Sequence, residues 1–161
     1  MPAMVSLLPF VKHIKEELAR LGHDYAARDI ALVAISSNDP AVSSEDSPEG
    51  LERMTAAWGL NYPVCYDESQ NVAKSYAAAC TPDFFLFDDA RQLVYRGQLD
   101  DSRPGNRKPV TGADLRAAID AVLAGHQVDP RQRPSIGCNI KWRPGNAPAY
   151  FGLAVSGTVR S

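Results

Sequence analysis

The most constraining feature of the sequence is a short apolar run at residues 30–35, which directly follows an amphipathic helical pattern. The run is rich in β-branched residues and does not alternate with polar ones, as is typical of a parallel strand covered on both faces. Residues 9–28 place apolar side chains on one helical face: Val11, Ile14, Leu18, Leu21 and Tyr25. A strand covered on both faces needs helices on both sides of its sheet, so the sequence predicts an α/β fold.

Local signals predict the remaining elements. Ser47 and Pro48 are typical of a helix start, and Asp67 with Gln70 resembles a capping box for a helix that ends at Ala79. Residues 63–66 between these two helices predict a short extended piece. The runs at 83–87 and 93–97, separated by a polar loop, predict a β-hairpin.

The last predicted helix begins at Thr111 and Asp114, which repeat the capping-box spacing, and ends at Gly125. The order of elements therefore indicates a mixed sheet flanked by helices. At 161 residues the chain is of the size of one domain, since domains run to ~100–200 residues. We predict a domain at residues 1–125 and an irregular tail at 126–161 that docks on it, because four prolines interrupt that tail: Pro130, Pro134, Pro144 and Pro148.

Charge and hydropathy exclude several classes of protein. Residues 1–90 contain 6 Lys/Arg and 14 Asp/Glu, whereas residues 91–161 contain 11 Lys/Arg and 5 Asp/Glu. We expect the basic part to dock on the acidic part rather than to bind nucleic acid, because its basic residues are scattered and carry few interleaved aromatic residues. The longest apolar runs fall far short of the ~20 residues of a membrane span. The opening residues lack a secretory pattern, which predicts a cytoplasmic location without structural disulfides.

The tripeptide Cys80-Thr81-Pro82, between a predicted helix and a hairpin strand, resembles the cis-proline corner of a thioredoxin fold. Six stretches, among them Pro9-Phe-Val-Lys-His, Ala79-Cys-Thr-Pro-Asp and Ser135-Ile-Gly-Cys-Asn-Ile-Lys-Trp, together resemble the bacterial peroxiredoxin-like group of thioredoxin-fold proteins. This group belongs with the alkyl hydroperoxide reductase and thiol-specific antioxidant proteins. The resemblance extends over residues 9–148 and implies a thioredoxin-like fold with thiol-based redox chemistry.

The sequence departs from that group at its beginning. Group members carry a nucleophilic cysteine immediately before the stretch that starts at Pro9, where this chain has Leu8. A first, central strand should also precede Pro9, and only Met4–Leu8 can supply it. Without that strand, residues 30–35 and 83–87 would each lose a sheet neighbour, so we predict an obligate homodimer that exchanges N-terminal segments or joins sheet edges.

Two cysteines are the remaining redox candidates. Cys80 precedes the expected cis-Pro82, and is either a redox or resolving thiol or a buried packing residue. Cys138 lies in the tail outside any helical or strand pattern, which favours a function, and we predict that it lies within disulfide reach of Cys80. Cys65 lies in an apolar extended piece and is predicted to pack in the core.

Three basic side chains complete the candidate site. Arg96 and Arg103 flank a loop that contains Asp100 and Asp101; they could hold a peroxide oxygen or stabilise a thiolate, or simply pair with those aspartates. His13 is expected near the active face, at the surface. Trp142 is expected to anchor the tail.

The sequence therefore predicts a peroxiredoxin-like thiol–disulfide oxidoreductase domain that is weak or inactive, with a thiol reductant or a peroxide as its substrate. The alternative is a non-enzymatic thioredoxin-fold binding module. The cysteines lack paired Cys-x-x-Cys spacing, so no metal is expected, and no other cofactor is expected either. The charge and hydropathy patterns predict neither a nucleic-acid nor a membrane partner.

Overall fold

The amphipathic pattern at the start of the chain forms two consecutive helices, α1 (Pro9–His13) and α2 (Lys15–Tyr25). The computed structural model describes residues 9–156, with side chains up to residue 152. Ile14 separates the two helices, and its carbonyl accepts a hydrogen bond of 3.0 Å from the Leu18 amide, so the apolar face runs on without interruption. Ile14, Leu21 and Tyr25 are buried, which confirms the predicted stripe.

The other elements are short, and the strands form three two-stranded sheets. In chain order they are β1 (Ala34–Ser36), α3 (Pro48–Trp58), β2 (Val64–Tyr66), α4 (Asn71–Ser75), β3 (Cys80–Thr81), β4 (Phe84–Phe87), β5 (Leu93–Gly97), α5 (Ala113–Leu123), β6 (Cys138–Asn139) and α6 (Ala149–Ser156). The chain divides into two compact units: the residues up to Leu32 with Cys80–Cys138, and Val33–Ala79 with the residues from Asn139 onward.

The first unit is built on the predicted hairpin. β4 and β5 pair antiparallel, with Phe84 opposite Gly97 and Leu86 opposite Tyr95. Apolar side chains from the hairpin, α2 and α5 form the core of this unit: Ile14, Leu21, Tyr25, Leu86, Tyr95, Leu99, Leu115, Ala118 and Ile119. The hairpin and its covering helices follow the sequence prediction.

The second unit contains a parallel pair, β1 with β2, in which Ile35 lies opposite Cys65. Helix α3 begins as predicted, since Ser47 Oγ accepts a hydrogen bond of 3.1 Å from the Gly50 amide and Pro48 occupies the first turn. Arg143 Nη2 donates to the Tyr66 hydroxyl at 2.9 Å, so a basic residue of the C-terminal segment packs against the acidic segment within this unit.

The strand predicted at residues 30–35 is only partly correct. The observed strand is β1, and Val33 and Ile35 are 58% and 44% exposed rather than covered on both faces. Among the described residues β1 pairs only with β2, so the surroundings that would bury the run are incomplete. Met4–Leu8, the predicted substitute for the first strand, lies outside the described residues.

Two helix boundaries and the tail also differ from expectation. Helix α4 ends at Ser75 rather than Ala79. Helix α5 begins without a Thr111–Asp114 box: the amides of Asp114 and Leu115 donate to the Leu99 carbonyl, and Asp100 accepts from the Thr111 and Gly112 amides just before the helix. The segment predicted to be irregular contains β6 and helix α6. No helix in the described part of the chain is long and apolar enough to cross a membrane.

Candidate functional site

The first unit brings the two candidate redox thiols onto neighbouring strands. Cys80 begins β3 and Cys138 begins β6, and these two strands pair with each other. The peptide bond between Thr81 and Pro82 is cis, as the sequence predicts. All three cysteines are free thiols. We refer to Cys80, Thr81, Pro82, Gly137 and Cys138 as the cysteine corner.

Gly137 is what allows the two strands of the cysteine corner to approach. A Cβ atom at this position would overlap the carbonyl group of Thr81 and crowd the nitrogen of Pro82. Only glycine lacks this atom, so the chain can place Cys138 directly beside the proline bend. The close approach of the backbone to Thr81 thus explains why glycine precedes Cys138.

The environment of Cys80 disfavours its thiolate. Burial raises the pKa of Cys80 to about 12, and the negative charge of Asp83 acts in the same direction. The positive charges of Arg96 and Arg103 lower the pKa, but by less than burial and Asp83 raise it. The thiol lies 3.5 Å from the Pro82 carbonyl, to which it donates a weak hydrogen bond. Cys80 is therefore held in its protonated form at neutral pH.

Arg96 is committed mainly to neighbours on the hairpin. Its Nη2 lies 3.4 Å from Asp83 Oδ2, and its guanidinium stacks 5.1 Å from the centre of the Phe85 ring. The observed ion pair of Arg96 is therefore with Asp83, an aspartate that the sequence analysis did not consider as its partner.

Beside the cysteine corner lies a shallow cleft, also within the first unit, which we call the arginine cleft. Its polar lining is His13, Gln98, Asp100, Ser102, Arg103 and Ser135, and its apolar lining is Phe10, Ile14, Pro82, Phe84, Leu99 and Ile136. Pro82 belongs to both the corner and the cleft. His13 is half-buried, and its Nε2 lies 2.7 Å from Ser102 Oγ. The histidine thus lies beside the candidate site, as the sequence suggested.

Arg103 is held in the arginine cleft by uncharged acceptors. Its Nη1 donates to the backbone carbonyls of Asp100 at 2.7 Å and Ser102 at 2.6 Å, and its Nη2 donates to Gln98 Oε1. Its Nε–H is buried and has no acceptor among the described residues. Within the same range, no carboxylate forms an ion pair with this guanidinium.

Asp100 and Gln98 fix the loop that carries Arg103, and sequence reasoning assigned neither of them that role. The Asp100 carboxylate is 1% exposed and accepts three backbone hydrogen bonds, from Ser102 at 2.9 Å, Thr111 at 2.8 Å and Gly112 at 2.7 Å. Gln98 Nε2 donates to Asp114 Oδ2 at 2.7 Å. The available signal was the polar run at 98–103, which begins immediately after the strand β5.

Two other sequence predictions concern residues away from this site. Cys65 is exposed on β2, so the expectation that it packs in the core is wrong: its strand has little cover on that face. Trp142 packs its ring edge-on against Phe151 of α6, with ring centres 6.5 Å apart; both residues belong to the C-terminal segment, so anchoring of that segment on the domain stays a prediction. In the part of the chain that the structure describes, no three His, Cys, Asp or Glu side chains cluster in an arrangement that could hold a metal ion.

The mixed α/β architecture and the cis-proline corner beside a thiol define a thioredoxin-like fold of the redox class. The sequence model of the Redoxin family matches residues 10–115, and the chain belongs to this family. No curated protein matches the chain.

Two solved structures are similar to it throughout most of its length. A hypothetical protein from Sinorhizobium meliloti 1021 is 56% identical, with a TM-score of 0.84 over 86% of this chain and 75% of its own. An uncharacterized conserved protein from Geobacillus kaustophilus is 54% identical, with a TM-score of 0.84 over 86% of this chain and 73% of its own.

Proposed function

We propose that the chain acts as a slow thiol–disulfide oxidoreductase that cycles between a Cys80/Cys138 dithiol and a Cys80–Cys138 disulfide. The observation that carries this proposal is the pairing of β3 with β6, which puts the two cysteines on neighbouring strands beside Pro82. Neighbouring strands lie roughly 5 Å apart, within the range of separations that a disulfide bridges.

The reaction begins at Cys138 and ends at Cys80. The Cys138 thiolate attacks a substrate disulfide RS–SR; the new bond is the mixed disulfide Cys138–S–SR, and one RS⁻ leaves and takes up a proton. Cys80, after losing its proton, attacks the Cys138 sulfur and expels the second RS⁻, which is also protonated. The dithiol loses two electrons and the substrate disulfide gains them.

The assignment of the second step to Cys80 follows from its environment. Its pKa of about 12 makes it a poor attacking group at neutral pH, whereas an intramolecular attack on a neighbouring sulfur benefits from proximity. Arg96 and Arg103 favour the thiolate that this step requires. The second step therefore limits turnover and gives the low activity expected from the sequence. A cytoplasmic location would keep the resting form reduced.

The test is turnover with a small disulfide, hydroxyethyl disulfide, supplied with dithiothreitol as reductant. Wild type, Cys80→Ser and Cys138→Ser are compared, with Cys65→Ser as the matched control because Cys65 is an exposed thiol outside the site. We expect Cys138→Ser to abolish thiol-dependent turnover and Cys65→Ser to behave as wild type. Cys80→Ser should accumulate the mixed disulfide when dithiothreitol is left out, whereas wild type should not. Equal activity in all four proteins would exclude this mechanism.

A non-enzymatic binding module is the second candidate function. It is favoured by the same protonation of Cys80, together with an arginine in the neighbouring cleft that has only neutral partners. The assay separates the two functions, because a binding module shows no thiol-dependent turnover in any form of the protein.

We also propose that two chains form the folded assembly. In the part of the chain that is described, β1 pairs only with β2, so the edge of this two-stranded sheet supports pairing with a second copy. Light scattering at micromolar concentration should give twice the chain mass, and a stable folded monomer would contradict this.

A further inference from the structure

We infer that the arginine cleft binds a small organic carboxylate, held by Arg103 and carrying a short apolar group. This inference does not depend on the proposed redox activity, because it uses the positive charge and the shape of the cleft and not a thiol.

The charge of Arg103 is the first argument. Its partners among the described residues are all neutral: two backbone carbonyls and the Gln98 amide. A guanidinium is always charged and normally meets a carboxylate or phosphate when it is held in a partly enclosed place. Its buried Nε–H also lacks an acceptor among the described residues.

The loop beneath Arg103 keeps its position without using the arginine as a counter-charge. Asp100 also lines the cleft, but its carboxylate is occupied by three backbone N–H groups rather than by the guanidinium. The arginine is therefore held rigidly by one set of contacts while its charge remains available to a ligand.

The lining of the cleft determines the class of anion. Only one guanidinium charge is present, and the nearby Asp100 opposes a second negative charge, so a monoanion fits better than a phosphate dianion. Phe10, Ile14, Phe84 and Ile136 give the cleft an apolar wall suited to a short hydrocarbon chain. Ser102 and His13, joined by their 2.7 Å contact, lie on the polar side of the cleft. Guanidinium and carboxylate also match in planar, two-bond geometry.

The experiment is calorimetric titration of the reduced full-length protein with butyrate, with neutral butyramide and with inorganic phosphate. We expect saturable binding of butyrate and at least tenfold weaker binding of the other two. Equal binding of butyramide, preferential binding of phosphate, or no saturable butyrate binding would each overturn the inference.

Variants locate the binding in the cleft. Arg103→Gln should weaken butyrate binding by about tenfold or more, because one charge-assisted pair is lost. Arg131→Gln is the matched control: it removes the same charge from an arginine exposed outside the cleft and paired with Asp129, and should bind as wild type. Unchanged affinity in Arg103→Gln would refute the assignment.

A second pair of variants serves if Arg103→Gln does not fold. Ile136 is 57% exposed at the cleft, so Ile136→Glu should fold and should repel the carboxylate, with an affinity loss of several-fold or more. Leu93→Glu, at a position 50% exposed on β5 and outside the cleft, should leave the affinity unchanged. Equal affinities of these two variants would contradict the proposed position.

The source of the carboxylate is resolved by two peptide ligands. Trialanine with a free C-terminus and its C-terminal amide present the same chain with and without the terminal carboxylate. Binding of butyrate but not of trialanine supports a small free acid. Tighter binding of trialanine than of butyrate, lost on amidation, would overturn the small-acid assignment in favour of a peptide terminus.

Discussion

The cysteine corner and the arginine cleft share Pro82, but the surroundings disfavour a negative charge at the corner and favour one in the cleft. At the corner, burial and Asp83 keep the Cys80 thiol protonated and hold its pKa near 12. In the cleft, the acceptors of Arg103 among the described residues are neutral, so its positive charge favours an anion nearby. An anion that enters this region is favoured on the side of Arg103 and disfavoured at the Cys80 sulfur.

An arginine near a thiol therefore does not by itself lower the pKa of that thiol below its ordinary value. Arg96 and Arg103 both lower the pKa of Cys80, yet desolvation and one carboxylate outweigh them. Thiols become reactive when positive charge and access act together. Here Arg96 and Arg103 supply positive charge, but burial of the Cys80 thiol limits access to it.

The largest expected effect concerns the alkylation rate of Cys80. In the double variant Cys65→Ser/Cys138→Ser only Cys80 remains, and iodoacetamide reacts with its thiolate. Burial and Asp83, the two largest causes of the raised pKa, remain in this variant, and a shift from 9.0 to about 12 lowers the thiolate fraction at pH 8 by up to roughly a thousandfold. We therefore expect alkylation of the folded protein to be up to roughly a thousandfold slower than that of the same variant unfolded in urea.

The pH profile distinguishes protonation from simple steric protection. If the raised pKa is the cause, the rate should rise tenfold per pH unit with no plateau up to pH 10. A plateau near pH 9 would mean that Cys80 ionises as an ordinary thiol and that only access limits its reaction, and the contrast between corner and cleft would then disappear.

The next effect tests what holds the cleft in place. Asp100→Ala would leave three backbone N–H groups without their acceptor, at a cost of ~1–3 kcal/mol for each buried one. We expect the free energy of unfolding to fall by about 3 kcal/mol or more in urea titrations. The neighbouring Asp101 is exposed and paired with Lys108, so Asp101→Ala is the control and should change stability little. Similar losses in both variants would contradict the role of Asp100.

A smaller effect is expected where the corner depends on a close approach of the backbone. Gly137→Ala places a methyl group against the Thr81 carbonyl, and crowding of this kind typically costs ~1–3 kcal/mol. The variant should be less stable and should form the Cys80–Cys138 disulfide more slowly with diamide, as measured by mass spectrometry. Gly152→Ala is the control, because nothing lies near its Cβ position. Normal disulfide formation in Gly137→Ala would show that β6 does not need this approach.

The sequence predicted the parts of this site that depend on local signals. The cis-Pro82 bend, the β4–β5 hairpin and the Ser47 cap are each encoded within a few residues, and each is confirmed. The expected capping box of α5 was wrong because the acceptors at this end, the Leu99 carbonyl and the Asp100 carboxylate, lie eleven residues or more upstream of the amides that they hold. Short-range capping patterns cannot detect such a partner.

Burial was harder to predict than secondary structure. An apolar run indicates that a strand is suited to a core but not which elements cover it, so the exposure of Ile35 and Cys65 could not be inferred from their own residues. The neutral surroundings of Arg103 were equally hidden, since they depend on a buried carboxylate that binds amides instead. Helix α6 carried one usable signal, Pro148 immediately before its first residue.

The smallest expected effect concerns the contribution of the Asp83 charge to the pKa of Cys80. Asp83 is largely buried, raises the pKa of Cys80 and pairs with Arg96 at 3.4 Å. Asp83→Asn removes the negative charge and leaves Arg96 without its counter-charge, so both consequences lower the pKa of Cys80. The alkylation rate of Cys80 at pH 9 should therefore rise by about three- to tenfold, which corresponds to half a pKa unit to one unit.

Two further variants are the controls. Asp89→Asn, in the exposed hairpin loop, should leave the rate unchanged, and Arg96→Gln should lower it. Because burial is the larger cause, Asp83→Asn should still react far more slowly than the unfolded chain. A return to the unfolded rate would mean that Asp83, and not desolvation, sets the protonation of this thiol.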